Sequence, residues 1–191
     1  MSKNIFKKSL LLSAILLLAS CEKDDPKPVN EEEVFTRVDL KVTNQADNTN
    51  ETISFEVDHD HSHAISTASE EDDHGDHKVV ELESDSTYKF EITFWNEEEN
   101  VTAEIIEEAD EHQVFYELAD GSGITITAAP DDTKDSSNNP VHLKTLWETT
   151  TAGEVDVEAY LIHEPTSKTG TERADFGGST DVEIEFEAHV E

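Results

Sequence analysis

Val34-Phe35-Thr36-Arg37-Val38-Asp39-Leu40-Lys41-Val42 alternates along its length. Val34, Thr36, Val38, Leu40 and Val42 fall on one side of an extended chain, and Arg37, Asp39 and Lys41 fall on the other. That period of two marks a half-buried strand. Ile53, Phe55 and Val57 repeat the pattern against Ser54, Glu56 and Asp58 after the polar turn NQADNTN, which predicts a hairpin partner. Further runs of the same kind cover residues 78–82, 88–95, 112–118, 124–128, 142–150, 155–163 and 181–190.

Short strands separated by polar turns predict an all-β fold, an immunoglobulin-like antiparallel β-sandwich. One window departs from the alternation. Residues 100–110 begin with a capping residue, Asn100, and place Val101, Ile105, Ile106 and Ala109 at helical spacing, which predicts one short helix crossing between sheets. Residues 22–33 are charged and contain Pro26 and Pro28, as expected of an extended, solvated linker. The reading is therefore a signal peptide over 1–20, an acidic tether over 21–33 and one domain over 34–191. A chain of roughly 160 residues is enough for one sizeable core.

The segment that precedes the tether has the three parts of an export signal. Lys3, Lys7 and Lys8 form a positive start, residues 10–18 form an apolar run too short to span a bilayer, and Leu18-Ala19-Ser20 leads into Cys21. Cleavage before Cys21 and lipidation of its sulfur would anchor the chain to a membrane without spanning it. Cys21-Glu22-Lys23-Asp24-Asp25 resembles the export tag of surface lipoproteins in Bacteroidota-type bacteria. That resemblance implies the outer face of the outer membrane, with the lipid anchor as the membrane contact.

Composition narrows the remaining choices. Cys21 is the only cysteine, so lipidation leaves no disulfide and no thiolate metal site. The formal net charge is −33, and because residues 1–20 hold three lysines and no acids, the rest of the chain carries −36. Such a charge repels nucleic acid and anionic lipid surfaces and favours divalent cations and cationic partners. It is also what a self-repelling, soluble extracellular coat would have.

Of the nine histidines, His59, His61, His63, His74 and His77 fall within one stretch of residues 59–77. Asp58, Asp60 and Asp76 are interleaved with them. In an extended segment, residues two apart lie on one face about 7 Å apart, so two imidazoles can share one cation. Imidazole with carboxylate suits zinc, copper(II) or nickel, with zinc first on availability. Ligation needs neutral imidazole, so affinity should fall as pH drops through about 6.5. Continuing the second strand would carry His59, His61 and His63 onto the core face. The strand is therefore expected to stop near Asp58 and leave the histidines in an exposed loop over 58–77. The competing reading is a histidine-sprinkled acidic loop with no ligand.

A second candidate arises where Glu107-Glu108-Ala109-Asp110-Glu111-His112-Gln113 closes the helix and His163-Glu164-Pro165 closes a strand. With the linker acids, the Asn100-Val101-Thr102 helix start and Gly177-Gly178-Ser179-Thr180-Asp181 before a last strand, this pairing resembles a poorly characterised family of Bacteroidota surface lipoproteins. Members often carry names that mention a type 1 periplasmic binding fold. Such folds alternate strands and helices in two lobes, whereas this chain offers one helix and many strands. The resemblance implies that His112 and His163 matter and does not say how. Structural capping is the alternative.

Weaker signals are few. Asp131, Asp132, Asp135, Asn138 and Asn139 make an oxygen-rich loop without the spacing of a calcium hand, which reads as a solvated turn. Trp95, Trp147, Phe90, Phe94 and Tyr160 could line a sugar-binding face, but inside alternating strands they read as core. No nucleophile elbow, His-Glu-x-x-His or phosphate loop occurs, so no enzyme is expected. The expectation is a lipid-anchored surface protein that captures zinc and passes it to an outer-membrane transporter, with a TonB-dependent receptor the partner implied by the lipoprotein resemblance. The other reading is a structural or adhesive module that binds glycan or protein.

Overall fold

The computed structural model describes residues 34–57, 78–119 and 121–191. Their elements in chain order are β1 (Arg37–Asn44), β2 (Asn50–Glu56), β3 (Val79–Leu82), β4 (Thr87–Asn96), β5 (Glu99–Asn100), α1 (Thr102–Glu107), β6 (His112–Leu118), β7 (Ile124–Ala128), β8 (Lys144–Thr149), β9 (Gly153–His163), α2 (Arg173–Phe176) and β10 (Ser179–Val190). They build the expected all-β sandwich. One sheet runs β2-β1-β4-β8-β7 with β5 added on β4, and the other runs β3-β10-β9-β6. Pairing is antiparallel throughout except that β3 lies parallel to β10.

The alternation read from the sequence becomes the core. Val38, Leu40 and Val42 of β1, Phe90, Ile92 and Phe94 of β4 and Trp147 of β8 are buried, as are Val157 and Leu161 of β9 and Val182, Ile184 and Phe186 of β10. Trp147 stacks on Phe90 with ring centroids 4.0 Å apart and meets Tyr116 edge-on at 5.4 Å. The five aromatic residues considered for a sugar-binding face are divided between separate surroundings. Phe90, Phe94 and Trp147 are core, Trp95 is capped by the Arg37 guanidinium 4.4 Å from its ring, and Tyr160 packs with Ile162, Phe176 and Phe115.

Three local expectations are corrected. Val34 is 48 % exposed and Phe35 is buried instead, because β1 begins only at Arg37 and the alternation does not extend back past it. The helix is capped by Val101 without a side-chain bond, and Asn100 instead closes β5 while its side chain accepts the Thr102 N–H at 3.0 Å. Ile106, counted on the buried face, points outward, whereas Val101, Ile105 and Ala109 are buried. The helix does cross between the sheets, leading from β5 to β6. A second helix, α2, was not expected; at four residues it is too short to carry a helical period, and its Phe176 packs against Phe115.

The Asp131–Asn139 loop is more organised than a solvated turn. Asp132 is buried and accepts the backbone N–H groups of His142 at 2.8 Å and Lys144 at 2.9 Å. Asp135 accepts the Ser137 and Asn139 N–H groups at 2.9 and 2.7 Å. These carboxylates are occupied in holding the loop. Asp131 accepts hydrogen bonds from the Lys89 and Lys144 ammonium groups at 2.8 and 3.1 Å, which hold its pKa down to about 2. Because that value lies below the unfolded one, the stabilisation is present above pH about 3.9 and is lost as pH falls toward about 2. Asp131 is more than half exposed, so screening keeps the effect below about 1 kcal/mol. Asp131→Asn is expected to be less stable than wild type at pH 7 in urea denaturation, and the two curves should converge by pH 2.

Candidate metal centre

His112 opens β6 and His163 closes β9, and the two residues sit directly opposite each other in the antiparallel ladder. Both have the parity of the core-facing row, His112 with Val114 and Tyr116, His163 with Leu161 and Ala159. They therefore continue that row to its end and turn inward instead of capping from outside. His112 is fully buried and His163 is 5 % exposed. Their rings lie 4.9 Å apart, centroid to centroid.

Asp181 completes the group through a fault in the next strand. On β10, Thr180 pairs with Ile162 and Val182 pairs with Leu161, so Asp181 is an extra residue with no opposite number. Strict alternation would place it with Glu183, Glu185 and Glu187, away from the core. A bulge breaks alternation and re-aims the side chain. The Asp181 carboxylate thereby comes within 3.5 Å of His163 Nδ1 and 3.9 Å of His112 Nε2.

At these separations the carboxylate interacts with both imidazoles directly. An ion held tetrahedrally at about 2.0–2.2 Å from nitrogen and oxygen ligands sets those atoms roughly 3.3–3.5 Å apart. One distance matches that edge and the other is slightly open. The tautomer of His112 also fits. Its Nδ1 lies 3.2 Å from the Glu108 carbonyl, which can only accept, so Nδ1 carries a hydrogen and the neutral ring would present an Nε2 lone pair toward Asp181. In metal sites a carbonyl bonded to the other ring nitrogen commonly fixes the orientation of a ligand imidazole in this way.

Lys168 fixes the backbone behind the site. Its side chain is 11 % exposed, and its ammonium donates to the carbonyls of Ala109 and His112, the latter at 2.9 Å, while pairing with Asp135 at 3.4 Å. Burial works to raise the Asp135 pKa, but Asn139's two hydrogen bonds and the Lys168 charge prevail and leave it below the ordinary value. The Asp131–Asn139 loop is thus tied to the start of β6.

The structure brings together His112 and His163. Cys21 and the tract containing Asp58, His59, Asp60, His61, His63, His74, Asp76 and His77 lie outside the described residues. β2 does end at Glu56, near the expected stop. The sequence places Asp181 at the end of the Gly177–Asp181 motif and does not mark it as a ligand. An aspartate at the head of an otherwise β-prone run was a faint hint, since aspartate is depleted in strands. His142 accepts the Gln113 amide at Nδ1, 2.7 Å away, and burial lowers its pKa, so it serves as a neutral packing group. At the other end of β10, His189 pairs with Glu81 at 3.0 Å on the surface.

Comparisons with family models, curated proteins and solved structures gave no match to this chain.

Proposed function

We propose that this chain is a non-catalytic binding protein for a divalent transition metal, with His112, His163 and Asp181 as a three-ligand centre. Zinc is the first candidate, with copper(II) and nickel next, since two imidazoles and a carboxylate suit all three. The observation that supports this reading best is the bulge at Asp181, which turns a carboxylate out of its strand's polar row toward two inward imidazoles. Three protein ligands leave a position for exchange, whereas structural zinc sites are closed by four. Capture and release fit that arrangement.

The five histidines of residues 59–77 add a second, sequence-based capacity for the same ions. With lipidation at Cys21, the protein would hold metal at the outer-membrane surface and hand it to a transporter, a TonB-dependent receptor being the partner considered. The strongly negative charge would draw cations toward it.

Zinc titration by calorimetry separates the two capacities. The full chain is compared with a variant whose His59, His61, His63, His74 and His77 are alanine, and with His163→Ala. The tract variant is expected to keep one site, and His163→Ala is expected to lose it. A tract variant that takes up no zinc would leave His112, His163 and Asp181 as a structural polar cluster at the end of the core.

A further inference from the structure

The ladder that pairs His112 with His163 continues one step outward. Glu111 precedes the first histidine and Glu164 follows the second, and the Glu164 N–H donates to the Glu111 carbonyl at 2.7 Å. Simple alternation would send both carboxylates to the face opposite the imidazoles. Glu164 leaves that pattern with a φ of 47°, in the left-handed region that residues with a Cβ rarely adopt. Ligand atoms of Glu111, His163 and Glu164 all lie within 4.8 Å of one another.

His163 therefore belongs to two ligand sets. The buried set has His112 and Asp181, and the exposed set has Glu111 and Glu164. We propose that Glu111 and Glu164 form a landing site that takes a divalent cation from solvent and passes it through His163 to the buried centre. The inference rests on the buried centre binding metal.

The chemistry favours such a route. A hydrated dication cannot enter a buried site without losing its water, and stripping it without replacement ligands is costly. Exposed carboxylates replace water one ligand at a time while offsetting the charge. Imidazole is a better ligand for zinc than carboxylate alone, so transfer from an oxygen-rich outer set to a nitrogen-rich inner set runs downhill. A landing site lowers the barrier in both directions, so it changes rates and not equilibrium.

Zinc transfer from a fluorescent chelator, followed by stopped flow, tests this on the full chain with the five tract histidines as alanine. Glu111→Gln with Glu164→Gln is expected to slow both uptake and release about tenfold or more, a size within the range for electrostatic guidance of ions. The dissociation constant should stay unchanged. Glu104→Gln with Glu107→Gln removes equal charge from α1 and should leave both rates near the parent's. Equal slowing by the two pairs would reduce the effect to the general field and overturn the route, as would unchanged rates. Faster release with unchanged uptake would make the two glutamates permanent ligands, which also overturns it. A parent chain that takes up no zinc overturns the buried centre and the route together.

Discussion

Zinc at about a hundred times its dissociation constant is expected to raise the melting temperature of the full chain by about 5–10 °C, and to leave that of Asp181→Asn unmoved. A ligand that binds only the folded state at this excess stabilises it by about 2.7 kcal/mol. For a domain of this size each kcal/mol shifts the midpoint by roughly 2–4 °C. The measurement distinguishes the two sets of histidines in a way that stoichiometry does not. His59, His61, His63, His74 and His77 are neighbours in sequence, so an unfolded chain offers them too, and binding common to both states gives no stabilisation. His112, His163 and Asp181 are brought together only by the pairing of β6 with β9 and β9 with β10. Asp181→Asn keeps the shape of the side chain and removes its charge, and the shift is read from each protein's own zinc-free midpoint. An unchanged midpoint in the wild type, or an equal rise in Asp181→Asn, would count against the centre.

The sandwich was legible because burial on one face of a strand writes itself into the sequence every second residue. β6 and β7 have the bounds read from the sequence, seven other strands differ by a few residues at their ends, and the two-residue β5 falls where the reading begins the helix. The errors occur where a residue's environment is set from elsewhere in the chain. Phe35 is buried against Phe94 with ring centroids 5.5 Å apart, a contact that nothing near residue 35 announces. α2 exists because Phe176 has a hydrophobic seat on Phe115, Tyr160 and Ile162, outside the main core. The candidate centre divides in the same way. Two histidines at strand ends could be picked out from the sequence, and their parity with Val114 and Leu161 was open to reading. That they face each other depends on the register of β6 with β9, and Asp181 joins them only through a register shift in β10. Register and bulges are properties of strand pairs, and one strand's sequence does not contain them.

Gly178→Ala is expected to cost about 3–5 kcal/mol, as the sum of a left-handed backbone and an overpacked contact, and to lose zinc at the centre even where the chain still folds. Gly178 has a φ of 65°, and a Cβ there would lie 2.2 Å from the His163 carbonyl oxygen and 2.9 Å from that of Glu164. The neighbours are backbone atoms and cannot swing aside as a flexible side chain would. Relief must come from moving the start of β10 away from the end of β9. Ser179, the next residue, pairs with His163, and Asp181 lies two further on. A displacement of a few tenths of an ångström at Gly178 therefore acts directly on the distance between the Asp181 carboxylate and the two imidazoles. Gly121 provides the control. Its φ is 77°, but a Cβ there meets nothing within 4 Å, so Gly121→Ala should cost only the backbone share of about 1–2 kcal/mol. Urea denaturation and zinc titration of both variants give four numbers. The close approach of Gly178 predicts that its alanine variant loses stability and metal together, while the Gly121 variant loses some stability and keeps the metal. Equal losses of stability, or intact zinc binding in Gly178→Ala, would mean that the start of β10 can shift without disturbing the centre, and that the bulge does not hold Asp181 in place.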